Sequence, residues 1–165
     1  MKNLLAVICL LLLLPAVAPG QERDDKTEGH GYFFAAPGVL AGHGNSMTMV
    51  HFGGGGEAYV YKGLGFGAEV GYLSPIEAWS EGVGCLSING QYALRSSARY
   101  RVVPFISGGY SLLFRSGSLN AVNFGGGVNY WFAKRAGLRL EVRDHVSPEY
   151  FGDHLIQGRV GITLR

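Results

Sequence analysis

Between residues 86 and 95 the chain alternates strictly. Leu86, Ile88, Gly90, Tyr92 and Leu94 share one face, and Ser87, Asn89, Gln91, Ala93 and Arg95 share the other. A period of two marks a β-strand with one apolar and one polar side. The pattern recurs at 64–72, where Leu64, Phe66, Ala68, Val70 and Tyr72 oppose Gly65, Gly67, Glu69 and Gly71. At 122–132, Val122, Phe124, Gly126, Val128, Tyr130 and Phe132 oppose Asn123, Gly125, Gly127, Asn129 and Trp131. At 136–143, Leu138, Leu140 and Val142 oppose Arg139, Glu141 and Arg143; at 156–165, Ile156, Val160, Ile162 and Leu164 oppose Gln157, Arg159 and Thr163. Residues 102–115 alternate more loosely, with Ser107, Gly109, Ser111 and Arg115 on the polar side. Residues 47–62 set Glu57 among Tyr59 and Tyr61, and 31–42 are apolar on both faces, so their orientation stays open. No segment shows a 3.6-residue period. Eight strands spaced about 18 residues apart suit an antiparallel meander, because parallel strands need long crossovers.

The connections read as alternately short and longer. The short ones lie near 62–63, 96–101 and 134–135; the others lie near 43–46, 74–82, 116–120 and 147–154. Loop length therefore predicts that the first set gathers at one end of the strand array and the second at the other.

Which face meets the surroundings decides the class. The polar set is small and rich in glycine, too sparse to coat a water-soluble surface. Its charges can instead pair inside: Glu57, Glu69 and Glu141 with Arg95, Arg139, Arg143 and Arg159. Strands of roughly nine to fifteen residues meet the 9–11 needed to cross a bilayer. In lipid every backbone polar group needs an internal partner, so such strands must close into a barrel. Eight strands leave an interior just wide enough for side chains to fill. The prediction is an all-β, single eight-stranded antiparallel up-and-down transmembrane β-barrel over 31–165. A soluble ligand-carrying barrel is disfavoured by the outward apolar faces.

The first twenty residues read differently. Met1-Lys2-Asn3 precedes fifteen apolar residues, Leu4 to Ala18, and small residues follow at Ala16, Ala18 and Gly20. That is the layout of a secretory signal peptide over 1–20, with cleavage after Gly20. Residues 21–30, with Glu22, Asp24, Asp25 and Glu28, read as a flexible periplasmic lead-in. Cleavage removes Cys9 and leaves Cys85, so no internal disulfide can form.

Composition adds exclusions. With 27 Gly and 16% charged residues, but no three-residue glycine period, the chain is neither collagen-like nor a charged disordered segment. A net charge of +2 argues against nucleic acid as a partner.

Four pieces in this order resemble the small outer-membrane β-barrel domain family of Gram-negative bacteria: Gly53-Gly54-Gly55-Gly56-Glu57-Ala58, Gly63-Leu64-Gly65-Phe66-Gly67-Ala68-Glu69, Gly125-Gly126-Gly127-Val128-Asn129-Tyr130-Trp131-Phe132 and Gly158-Arg159-Val160-Gly161-Ile162-Thr163-Leu164-Arg165. The resemblance implies an eight-stranded porin-like fold in the cell outer membrane. Its expected partners are outer-membrane lipids and lipopolysaccharide, with the barrel-insertion machinery during assembly. It also implies a monomer with a structural or surface-interaction role and no cofactor. Such barrels usually end in an aromatic residue, whereas this chain ends in Arg165.

Candidate chemistry is sparse. Gly63-Leu64-Gly65-Phe66-Gly67-Ala68 fits a dinucleotide-binding spacing, but strand alternation follows it where a helix is required. His145-Val146-Ser147, with Glu149 nearby, resembles the His-x-Ser of outer-membrane lipid A deacylases. There Asn follows the Ser, whereas Pro148 follows here. A lipid A-modifying hydrolase using His145, Ser147 and Glu149 is thus the alternative to a non-enzymatic barrel. His43, His145 and His154 are expected near one rim, without metal-ligand spacing. The turns at Lys62, Arg99, Arg101, Lys134 and Arg135 are basic, and the longer connections carry Glu77, Glu81, Glu149 and Asp153.

Overall fold

A computed structural model describes residues 28–42, 45–94, 100–147 and 153–165. Its strands are β1 (Glu28–Gly42), β2 (Asn45–Tyr61), β3 (Leu64–Pro75), β4 (Val83–Ala93), β5 (Val102–Phe114), β6 (Ser118–Tyr130), β7 (Ala136–Val146) and β8 (His154–Leu164). Each pairs antiparallel with the next, and β8 returns to β1, closing the barrel. Among the described residues the one helical element is a 3₁₀ turn, Trp79–Glu81.

The register fixes the shape. Following paired residues around the wall from Glu28 leads through Tyr59, Gly65, Gln91, Ser107, Gly125, Arg143 and Gln157 to Gly38. One circuit therefore ends ten residues further along β1, from 28 to 38. At about 3.4 Å per residue and about 4.8 Å between strands, that stagger tilts the strands about 40° from the barrel axis. An 11-residue strand such as β8 then rises about 28 Å, enough for an apolar band of about 25 Å.

Alternation along each strand becomes inside and outside. In β8 every odd position from Leu155 to Thr163 is buried and every even position from His154 to Leu164 is exposed. Outward positions near mid-height carry Phe33, Phe66, Val70, Ile88, Ile106, Phe124, Val142 and Val160, all exposed. Aromatic residues flank this belt: Tyr61, Tyr92, Tyr100, Tyr130 and Phe132 at one end, Tyr72, Trp79, Tyr110 and Phe114 at the other. Trp79 stacks on Phe52 with ring centroids 5.7 Å apart, and the Tyr72 hydroxyl donates to the Trp79 carbonyl. These contacts hold the 76–82 connection against the outer wall.

The structure departs from the sequence reading at two points and settles a third that it left open. Strand β1 begins at Glu28, inside the segment expected to be a lead-in, because His30 is buried between Tyr59 and Trp131. The undecided strand orients with Tyr32, Phe34 and Ala36 inward and Phe33 outward. Connection length does not separate the two ends, since each has a two-residue link (43–44; 62–63) and a longer one (76–82; 94–101). The polar residues Asn45, Ser46, Ser118 and Asn120 read as loop, yet they join the ladders and shorten the connections on their side. The signal-peptide segment 1–20 lies outside the described residues.

The tight link at 62–63 has both residues at positive φ, 42° for Lys62 and 89° for Gly63. This is the backbone of a two-residue hairpin turn whose twist matches the flanking strands. Gly63→Ala places a methyl 2.3 Å from the Ala93 carbonyl oxygen in a left-handed conformation. The expected cost is about 1–2 kcal/mol, read as a lower urea midpoint with the folded gel band retained.

Candidate functional site

The interior is layered. At the end bearing 62–63, 94–101 and 131–135, the turn end, Tyr59, Ala93, Val103 and Trp131 form an apolar cluster. At the opposite, loop end, Met49, Leu73 and Leu155 pack together, with Leu40, Val83 and Leu113 against them. Between the two lie the charged residues.

Six of the seven residues expected to pair inside the barrel are described, and the structure brings all six together. Arg139 donates to Glu57 at 3.0 and 3.1 Å and, through Nε, to Glu141 at 3.1 Å. Arg143 lies 2.7 Å from Glu69 and 2.5 Å from Glu141. Arg159 lies 3.0 Å from Glu69 and 3.5 Å from Glu141. All six side chains are at most 2% exposed. Three carboxylates thus face three guanidinium groups. Arg95 lies outside the described residues.

Register explains how long charged chains fit in so narrow a wall. Glu57 faces Gly67 and Glu69 faces Gly55 across the β2–β3 ladder. Glu141 faces Gly127 and Arg143 faces Gly125 across β6–β7. Arg139 faces Gly161 across β7–β8.

Aromatic and neutral partners complete the cluster, and the sequence reading did not find them. The Tyr32 hydroxyl donates to Glu69 at 2.8 Å, the Tyr59 hydroxyl donates to Glu57 at 3.1 Å, and His30 Nε2 sits 2.5 Å from Glu57. Arg139 covers the rings of Phe105 and Tyr32, 4.1 and 4.5 Å from their centroids, and Arg159 covers Phe34 at 3.7 Å. A polar chain continues toward the loop end: Ser87 and Ser111 hydroxyls lie 2.8 Å apart, and Asn123 donates to Ser111 at 2.9 Å. Buried Cys85 lies 3.7 Å from Ser87.

Of the hydrolase alternative's residues, the two that are described, His145 and Ser147, do not form a nucleophile–base pair. His145 and Ser147 are both buried and face the interior, away from lipid. Neither ring nitrogen of His145 nor the Ser147 hydroxyl has a hydrogen-bond partner among the described residues. Glu149 lies outside them. His145 and His154 do lie at one rim, a single step apart in the β7–β8 register, but on opposite sides of the wall. His145 points inward, while exposed His154 pairs with Asp144 at 2.8 Å on the outer wall; His43 is outside the described residues.

A polar, charge-balanced interior inside an exposed apolar belt is the reverse of a soluble barrel. No protein-family model and no curated protein matches the chain. Solved structures do. Neisserial surface protein A superposes with a TM-score of 0.68 at 13% identity, over 84% of this chain and 97% of that one. The fold is that of an eight-stranded outer-membrane β-barrel. The N-terminal β-barrel domain of Pseudomonas aeruginosa OprF gives 0.60 at 14% identity, covering 83% and 100%. Ail, the attachment invasion locus protein of Yersinia pestis, solved with the heparin analogue sucrose octasulfate, gives 0.55 at 8% identity, covering 84% and 98%. Identities this low carry the architecture of a transmembrane barrel and leave the site to be argued from this chain's own residues.

Proposed function

We propose that this protein is an integral outer-membrane barrel that serves as a rigid, sealed scaffold displaying its loop end at the cell surface, without catalysis or conduction. The observation that carries this reading is the interior itself. A neutral six-membered ion-pair cluster fills the middle, and apolar side chains close both ends. Inward-facing Ser147, not hydrogen-bonded to His145, supports the non-enzymatic reading over lipid A hydrolysis. Residues 1–20 would direct export, and the barrel-insertion machinery would assemble the exported chain as a monomer surrounded by outer-membrane lipids and lipopolysaccharide.

Orientation follows from the even strand number, which puts the start of β1 and the end of β8 at one end. A chain entering from the periplasm leaves that end behind, since then only the four opposite connections must cross. The loop end carries Glu77, Glu81, Asp144 and Asp153 against Arg115. That balance disfavours a polyanion such as the sulfated sugar bound to Ail, and favours neutral or cationic surface partners.

Fractionation tests the reading. The protein is expected in the outer-membrane fraction, with a gel mobility that changes on boiling. Recovery from the soluble periplasm with one mobility would overturn it.

A further inference from the structure

The two ends of the barrel are oppositely charged, and the geometry at the turn end points to a binding site. Lys62, Arg101, Lys134, Arg135 and Arg165 lie there, against Glu28 at the start of β1. Four of these five cations are drawn to one side, across the ends of β5 to β8. The Trp131 amide donates to the Arg101 carbonyl at 2.7 Å, tying β6 to the residue before β5. The Arg165 amide donates to the Arg135 carbonyl at 3.1 Å, and Arg165 Nε donates to the Lys134 carbonyl at 2.9 Å. Arg165 also lies over the Trp131 ring, 4.3 Å from its centroid.

Among the described residues no carboxylate pairs with Arg101, Lys134 or Arg135, and all three are exposed. Beside them on the outer wall stand Tyr100, Tyr130, Phe132, Val102 and Leu164, each at least 43% exposed. Aromatic and aliphatic groups at this height mark the boundary between acyl chains and headgroups. Unneutralised cations just beyond that boundary meet the phosphate layer. Guanidinium groups suit phosphate because their donors match its oxygens in pairs.

We infer that the Arg101–Lys134–Arg135–Arg165 face binds the headgroup of an anionic phospholipid in the inner leaflet of the outer membrane. This rests on the membrane reading above. Lipopolysaccharide, the other phosphate source, lies at the opposite, acidic end in the proposed orientation. The face thereby accounts for the charge asymmetry along the chain: the basic turns hold phospholipid, and the acidic connections stay clear of lipid A phosphates.

The test is native mass spectrometry of the detergent-released barrel. Its probes are phosphatidylglycerol, phosphatidylethanolamine with the same acyl chains, and lipopolysaccharide. The wild type is expected to retain phosphatidylglycerol over phosphatidylethanolamine. Combined Arg101→Gln, Lys134→Gln and Arg135→Gln is expected to lower that preference by about tenfold or more, since each cation near an anionic surface contributes independently. Arg101→Lys with Arg135→Lys keeps most of it, and Arg115→Gln at the loop end leaves it unchanged. Equal retention of the two phospholipids by wild type, an undiminished preference in the triple glutamine variant, or retention of lipopolysaccharide in place of phosphatidylglycerol would overturn the inference. Boiling-sensitive mobility in every variant shows that the barrel itself is intact, so failure of the lipid site and failure of the membrane reading are told apart.

Discussion

Glu141→Ala is expected to destabilise the barrel by about 3–5 kcal/mol, the cost of breaking a buried ion pair by removing one partner. Glu141 is the carboxylate shared by all three arginines. Its Oε1 accepts from Arg143, its Oε2 accepts from Arg139, and Arg159 lies 3.5 Å away. Without it, three guanidinium groups face two carboxylates where water is scarce. The uncompensated cation, more than the lost attraction, sets the cost. Urea unfolding in lipid vesicles, followed by tryptophan fluorescence, measures it. Removing a second charge provides the control. Glu141→Leu with Arg143→Met leaves Arg139 and Arg159 balanced by Glu57 and Glu69, so the double variant should recover much of the loss. By contrast Asp144→Ala, which breaks the partly exposed pair with His154, should cost no more than about 1 kcal/mol.

The second large effect is steric. A Cβ at Gly127 would lie 2.1 Å from the Leu140 carbonyl oxygen and 2.8 Å from the Glu141 Cα. Both are backbone atoms of the paired strand, so nothing can rotate away. Gly127→Leu adds a whole side chain at the point where Glu141 enters the cluster, and overpacking of this kind costs about 3 kcal/mol or more. The folded gel band should be lost or its urea midpoint should fall sharply. Gly158 supplies the contrast. It faces outward, with nothing within 4 Å of an added Cβ, beside Val142 on β7. Gly158→Ala should leave stability unchanged or raise it slightly, because alanine restricts the unfolded chain without strain.

These contrasts show what was legible in the sequence. Where inward and outward residues differ in polarity, as at Leu86 to Ala93 or Ile156 to Leu164, a period of two fixed both the strand and its facing. From that alone follow eight strands, closure and the inward placement of Glu57, Glu69, Arg139, Glu141, Arg143 and Arg159. Strand β1 was opaque because Tyr32, Phe33 and Phe34 are aromatic on both faces. Its inward rings pack under guanidinium groups, where a flat apolar face also serves a charge. No one-dimensional pattern records that. The register was likewise invisible, so the pairing of five of the six charges with a glycine emerged only in three dimensions. His145-Val146-Ser147 showed the opposite limit. Its spacing does put both side chains on one face, but the fold turns that face inward.

The central claim is that the exposed apolar face meets lipid. It is tested most directly by nitroxide labels placed singly at Val70, Ile88, Ile106, Val142 and Val160 on a Cys85→Ser background, with the protein in bilayers. Collision with dissolved oxygen and with a water-soluble nickel chelate would be compared at each site. High oxygen and low nickel collision at all five positions is predicted, with nickel collision rising only for labels at Tyr61 and Phe114 near the two ends. Strong nickel collision at the five mid-height positions would place that face in water and contradict the account.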